Sequence, residues 1–166
     1  LMSASFVSKG DDVVIATKEG QSIRFKESDV REMGRNAAGV RVIKLGEDKK
    51  QRDEVISADI VSKDSKNPAL FVMGSNGYGK KTKLSEYKTQ NRGGSGILTM
   101  NVTTKTGSLM GAKVVTDDDE EIVAMSKKSQ VIRVDIKEIP TLGRSTQGVR
   151  VMKLREGDSL ASLICL

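Results

Sequence analysis

Histidine and tryptophan are absent from the 166 residues, cysteine occurs once, as Cys165, and aromatic side chains make up only 3% of the chain. Without histidine there is no Ser-His-Asp or Cys-His relay, no imidazole base near neutral pH and no His-ligated zinc. A single cysteine excludes an internal disulfide and a Cys-rich metal cage, and it fits a reducing compartment. With only Phe6, Phe25, Phe71, Tyr78 and Tyr87 available, stacking on single-stranded bases is disfavoured as the main binding mode. No apolar run approaches the roughly 18 residues that a membrane span needs. Residues 1–7 lack the basic and apolar regions of a signal peptide, so the chain reads as cytoplasmic with no membrane partner.

What is present describes a basic globular chain. Hydrophobic residues are 37% and charged residues 30%, with 28 Lys plus Arg against 22 Asp plus Glu, a net charge of +6. That composition supports a core of ordinary size and points toward an anionic partner.

An internal repeat organises the sequence. Placing Gly39, Gly96 and Gly148 in register aligns 13–45, 70–102 and 122–154 without a gap. In that frame a turn residue recurs (Gly20, Gly77, Ser129), then a basic residue (Arg24, Lys81, Arg133), an acid (Asp29, Glu86, Glu138) and an arginine (Arg35, Arg92, Arg144). The anchor glycines are expected to serve backbone geometry. One acid per unit with no base beside it is a poor catalytic constellation, and pairing with neighbouring cations is the expectation.

Each unit reads as four strands. Short apolar runs at 13–16, 70–73 and 122–125 suit strands buried on both faces, and alternating stretches such as 22–26 and 131–135 follow a turn. Third strands are expected at 40–45, 97–102 and 149–154, and fourth strands at 58–61, 112–115 and 162–165. Four strands per 50-odd residues, repeated, predicts an all-β, propeller or pinwheel type array with blades at 8–62, 63–116 and 117–166. Residues 1–7 read as the end strand of a preceding blade, so the chain is expected to come from a longer array.

Charge is unequal between the blades. Residues 8–62 carry 11 basic and 11 acidic side chains, 63–116 carry 9 and 2, and 117–166 carry 8 and 9. Strand alternation should turn Arg24, Lys26, Lys81, Lys83 and Arg133 outward along successive blade rims. With Lys80, Lys88, Arg35, Arg92 and Arg144 they form the candidate contacts to a polyanion that bends around the rim. A solvated strand face is the competing reading. The three turn arginines have two readings, corner contacts to carbonyls or phosphate clamps.

Gly74-Ser75-Asn76-Gly77-Tyr78-Gly79-Lys80-Lys81-Thr82 nearly fits a phosphate-binding loop, but the hydroxyl arrives one position late and no helix follows, so a hairpin turn is expected. Asp117-Asp118-Asp119-Glu120-Glu121 lacks the ligand spacing of a calcium loop and reads as a solvated linker, as does 47–54. Cys165 is expected in the core of the last strand. No catalytic residue, metal or cofactor is assigned.

Taken together, 24–34, Asn76-Gly77-Tyr78-Gly79-Lys80-Lys81-Thr82 and Gly143-Arg144-Ser145-Thr146-Gln147-Gly148-Val149 closely resemble the C-terminal domain of DNA gyrase A; the corresponding domain of topoisomerase IV is the near relative. The resemblance implies the last three blades of a six-bladed β-pinwheel that wraps duplex DNA on its positive outer edge. It also implies a parent type II topoisomerase of the bacterial cytoplasm and nucleoid, working with the remainder of gyrase A and with gyrase B. ATP and Mg²⁺ would then be used outside this segment. Gln90-Asn91-Arg92-Gly93-Gly94-Ser95-Gly96 is similar to that family's signature box, with Asn91 and Ser95 where the box has basic residues, and reads as a degenerate blade turn. A protein-interaction propeller is the alternative of another class, and it predicts an exposed apolar patch. Three blades are expected either to stand alone or to self-associate through their open ends.

Overall fold

A computed structural model describes residues 3–46 and 53–166; residues 1–2, and the 47–52 part of the charged stretch at 47–54, lie outside the described residues. The apolar runs form the central strands β1 (Asp12–Thr17), β4 (Ala69–Gly74) and β8 (Glu121–Ser126). Each pairs antiparallel on one side with its hairpin partner: β2 (Gln21–Lys26), β5 (Tyr78–Lys83) or β9 (Val131–Asp135). On the other side lies β3 (Val55–Val61), β7 (Leu109–Val115) or β11 (Leu160–Cys165). The hairpins turn through Gly20, Gly77 and Ser129 at φ of 81°, 82° and 61°, the left-handed conformation that favours glycine.

The third strand departs from expectation. Its residues form only two-residue strands, β6 (Ile97–Leu98) and β10 (Val149–Arg150), and none at 40–45. Neither short strand joins its own blade. β6, from the second repeat, pairs with β2 of the first sheet, and β10, from the third repeat, pairs with β5 of the second. The sheets are therefore β3-β1-β2-β6, β10-β5-β4-β7 and β11-β8-β9. A strand needs a ladder partner for its backbone groups, and among the described residues 40–41 has no sheet to join. Residues 4–7, also expected as a strand, form none and are exposed, for the same reason.

Two apolar clusters glue the sheets face to face. Val14 and Ala16 meet Leu70, Val72 and Met100 between the first and second sheets. Phe71 and Met73 meet Ile122, Ala124 and Met152 between the second and third. The sheets converge where β3 packs on β7 and β7 on β11. There Ser57 Oγ donates to the Ala112 carbonyl at 2.6 Å, and a Cβ on Gly111 would lie 2.1 Å from Leu163. That edge is the inside of the arc; β2–β6, β5–β10 and β9 form its outside.

Candidate nucleic-acid interface

On the outside, each donated strand is preceded by a loop that arches over the edge of the sheet it joins. One foot of the first arch is Gln90, whose amide donates to the Arg24 carbonyl (2.7 Å), and the other is β6. The second arch repeats this with the Leu142 amide on the Lys81 carbonyl (2.8 Å) and β10. The anchor glycines make the far foot possible. A Cβ on Gly96 would stand 2.6 Å from the Ser22 carbonyl oxygen, and one on Gly148 2.4 Å from that of Gly79. Gly39 has no such neighbour among the described residues.

The arches explain what the repeated basic residue does. Arg24 is bound to Asp12 (Nε to Oδ2, 2.7 Å) and donates to the carbonyls of Leu84 (2.8 Å) and Tyr87 (3.3 Å), at the 3-10 turn Leu84–Glu86 of the next repeat. Lys81 does the same one blade on, donating to the Ile136 carbonyl at 2.5 Å; burial holds its pKa below the usual lysine value, against the pull of Asp135 and Asp117. These two cations clamp blade to blade instead of pointing outward. Arg133, whose repeat has no successor among the described residues, is 68% exposed and pairs with Glu121. Lys26 is half-exposed and pairs with Asp12 at 2.7 Å.

Lys80 is a clear departure. It is fully buried, with Nζ donating to the carbonyls of Gly143 and Arg144 (2.5 Å each) and to Thr146 Oγ1 (3.0 Å). Burial pushes its pKa down to about 8, with Glu86 opposing the shift and Arg144 adding to it. A cation under the second arch has no phosphate within reach. Strand parity places Lys80 opposite to Lys81, but the arch over that side is invisible without the strand exchange.

Two of the three turn arginines make the corner contacts to carbonyls. Arg92 donates to the carbonyls of Asp29 (2.7 Å) and Arg41 (3.3 Å), and Arg144 to that of Leu98 (3.1 Å). Both brace an arch against the preceding repeat; Arg35 makes no such bond among the described residues and is exposed. The box-like turn is the first arch itself. Gly93 (φ 83°) donates to the Val42 carbonyl, Gly94 lies over Ile23, and Gln90, Asn91, Ser95 and Gly96 complete the span.

Every repeat nevertheless carries exposed cations. Lys83 and Lys88 are exposed in the second repeat, Arg31, Arg35, Arg41 and Lys44 in the first, and Lys137, Arg150 and Lys153 in the third, Arg150 lying in β10 on the edge of the second sheet. Arg41 and Arg150 escape the sequence pattern. They share one register position, but the middle repeat has Leu98 there, so a search for threefold recurrence passes over them. Arg150 also donates to Tyr78 Oη (2.9 Å), with its guanidinium carbon 5.5 Å from the ring centroid.

Three other expectations lie on this framework. The phosphate-loop-like segment is the β4–β5 hairpin, its turn closed by the Gly77 amide on the Gly74 carbonyl. In the acidic stretch, Asp119 caps the Thr116 amide and hydroxyl (2.6 and 2.9 Å), so it builds a turn as well as a charged surface. Cys165 packs in the cluster between the second and third sheets, where burial raises its pKa to about 12. No helix of the described residues is long and apolar enough to cross a membrane.

Comparison with known proteins gives a consistent picture. The family model described as DNA gyrase C-terminal domain, beta-propeller, matches three times, at residues 11–62, 69–116 and 120–166. DNA gyrase A of Lawsonia intracellularis is 41% identical over 157 residues, which is 95% of this chain and 18% of that protein. The chain thus spans about a fifth of the curated relatives it matches. A solved DNA gyrase A C-terminal domain superposes with a TM-score of 0.82 at 32% identity, covering 95% of this chain and 51% of that one. The C-terminal domain of DNA topoisomerase IV gives 0.84 at 24% identity, with 95% and 47% covered, a likeness of fold.

Proposed function

The chain belongs to the DNA gyrase C-terminal domain family, and from that premise we propose that its outer rim binds the backbone of duplex DNA and bends it around the blades. The observation that carries this reading is that each of three consecutive repeats has exposed cations in or shortly after its outer strands: Arg31 and Arg35, Lys83 and Lys88, Lys137 and Arg150. Such cations neutralise successive phosphates on a curved path; they position a duplex and do not read bases.

In the longer protein this segment serves a bacterial gyrase A, working with the remainder of that polypeptide and with gyrase B in ATP-dependent negative supercoiling on the nucleoid. The segment needs no cofactor of its own. ATP and Mg²⁺ act in other parts of that longer protein. Exposed Val131 and Met125 on the third sheet match the patch a protein scaffold would show. Met125, however, is the repeat counterpart of Met73, which packs fully buried against the third sheet, so this position serves blade stacking one repeat earlier.

Titration of a duplex of roughly 40 base pairs at several salt concentrations tests the reading. The expected result is affinity that falls steeply with salt, and a Lys83→Glu, Lys88→Glu, Arg35→Glu variant that loses both affinity and slope. Equal, weak binding of wild type and variant at low salt would remove DNA wrapping from this rim.

A further inference from the structure

The two arches are built alike but rest on different seats. Under the first lies Ile23, fully buried, and a Cβ on Gly94 of the arch would stand 3.6 Å from its Cδ1. The counterpart of Ile23 in the next repeat is Lys80, and the counterpart of Gly94 is Thr146. An apolar side chain against a glycine is thus replaced by an ammonium whose three donors meet two carbonyls and one hydroxyl of the loop.

We propose that Lys80 is the seat of the second arch, a positioning residue that holds residues 143–148 on the rim, and that Lys80 with Thr146 forms a matched pair distinct from Ile23 with Gly94. All of Lys80's polar contacts among the described residues are to this loop, and a buried ammonium is tolerated only where all its donors are met. Swapping one member leaves either a hydroxyl and two carbonyls over isoleucine, or an ammonium lacking an acceptor. The two seats therefore tell the second repeat's loop from the third's and fix which loop settles on which sheet. The DNA readout below rests on the wrapping reading; the exchange readout does not.

The test is amide hydrogen exchange and salt-dependent DNA titration on Lys80→Met, Lys80→Ile, Thr146→Val and the double variant Lys80→Ile/Thr146→Gly, each checked for folding by its urea midpoint. Loss of the hydrogen bonds that Nζ donates should speed exchange across 143–148, read at the residue-146 amide, by about 10- to 100-fold in Lys80→Met and Lys80→Ile. Thr146→Val should do so by less, and amides of the first arch such as Gly93 should not change. The double variant recreates the seat of the first arch and should return exchange to within a few-fold of wild type. It should also regain the wild-type salt slope although it has no cation at position 80. Unchanged exchange in Lys80→Met overturns the proposal. So does an ordered double variant whose slope stays lower by about 0.9, because that is the signature of one lost phosphate contact. If exchange responds as stated while DNA affinity never moves, the seat stands and the wrapping reading fails at this loop.

Discussion

Arg24 on β2 and Arg133 on β9 occupy the same position in the repeat, and the two strands have the same alternation. On β2 the following repeat arrives: Arg24 is 21% exposed and bound to carbonyls of residues 84 and 87, and Ser22 and Ile23 are fully buried. On β9 no further repeat lies against the edge among the described residues, and Arg133 is 68% exposed, Val131 55%. One sequence position is a structural clamp in one blade and a surface cation in another. The role is set by the neighbour, because the donated strand brings both the carbonyls that bind the arginine and the atoms that cover the strand. Turn residues follow the same division. A Cβ on Gly20 or Gly77 would stand 2.3 or 2.2 Å from the carbonyl oxygen of Met100 or Met152, whereas the β8–β9 turn carries Ser129, with its Cβ in place.

Truncating a face residue should separate the blades most strongly. Phe71 is fully buried between the second and third sheets, and Val123 is its counterpart on the open face of the third. Phe71→Ala should cost about 3–5 kcal/mol and Val123→Ala less than about 1 kcal/mol, read as urea-unfolding free energies. Similar losses at both sites would mean that the third sheet's open face is covered in solution.

Next in size is the turn. Gly77→Ala places a methyl against the Met152 carbonyl in a left-handed conformation and should cost about 2–4 kcal/mol. Ser129→Gly, at the equivalent turn, should gain up to about 1 kcal/mol by relieving the same conformation in a non-glycine residue. A harmless Gly77→Ala would show that the strand exchange between the second and third repeats is loose. The clamp itself comes third: Arg24→Met strips the Leu84 and Tyr87 carbonyls and one oxygen of the buried Asp12 of their donor, for about 2 kcal/mol. Arg133→Met, which breaks an exposed pair, should stay within about 0.5 kcal/mol. Equal costs would sink the claim that the next repeat decides the arginine's role.

These contrasts mark what the sequence could show. Apolar runs, hairpin turns and the threefold register were legible because they are local, and β1, β2, β4, β5, β8 and β9 fall where the pattern put them. The exchange of β6 and β10 was not, since nothing in Ile97-Leu98 or Val149-Arg150 says which sheet will accept them. Everything misplaced at the site follows from that one omission. Parity alone turns Arg24 and Lys81 outward, and composition alone counts Lys80 among the surface cations. The carbonyls that capture all three belong to the following repeat. Lys83 and Lys88 kept their exposed places because no donated segment crosses them.

The smallest expected effect is one of slope, and it sets the buried ammonium of Lys80 against the apolar seat at Ile23. Burial lowers the Lys80 pKa to about 8 in the folded chain, whereas an unfolded lysine titrates near 10.4. Between those values the unfolded chain holds a proton that the folded chain has released, so stability rises with pH. Below about pH 8 both forms are charged and the desolvation cost of the ammonium is fully present; it is relieved as pH climbs from there toward 10.4. Wild type should therefore gain on the order of 1 kcal/mol over Lys80→Met between pH 7.5 and 9, read from paired urea titrations at each pH. A wild type that loses stability over that window would show that the carbonyls of Gly143 and Arg144 hold the proton more strongly than burial expels it. The charge, and not only the donors of the amine, would then hold the second arch, and its seat would weaken in alkali where that of the first would not.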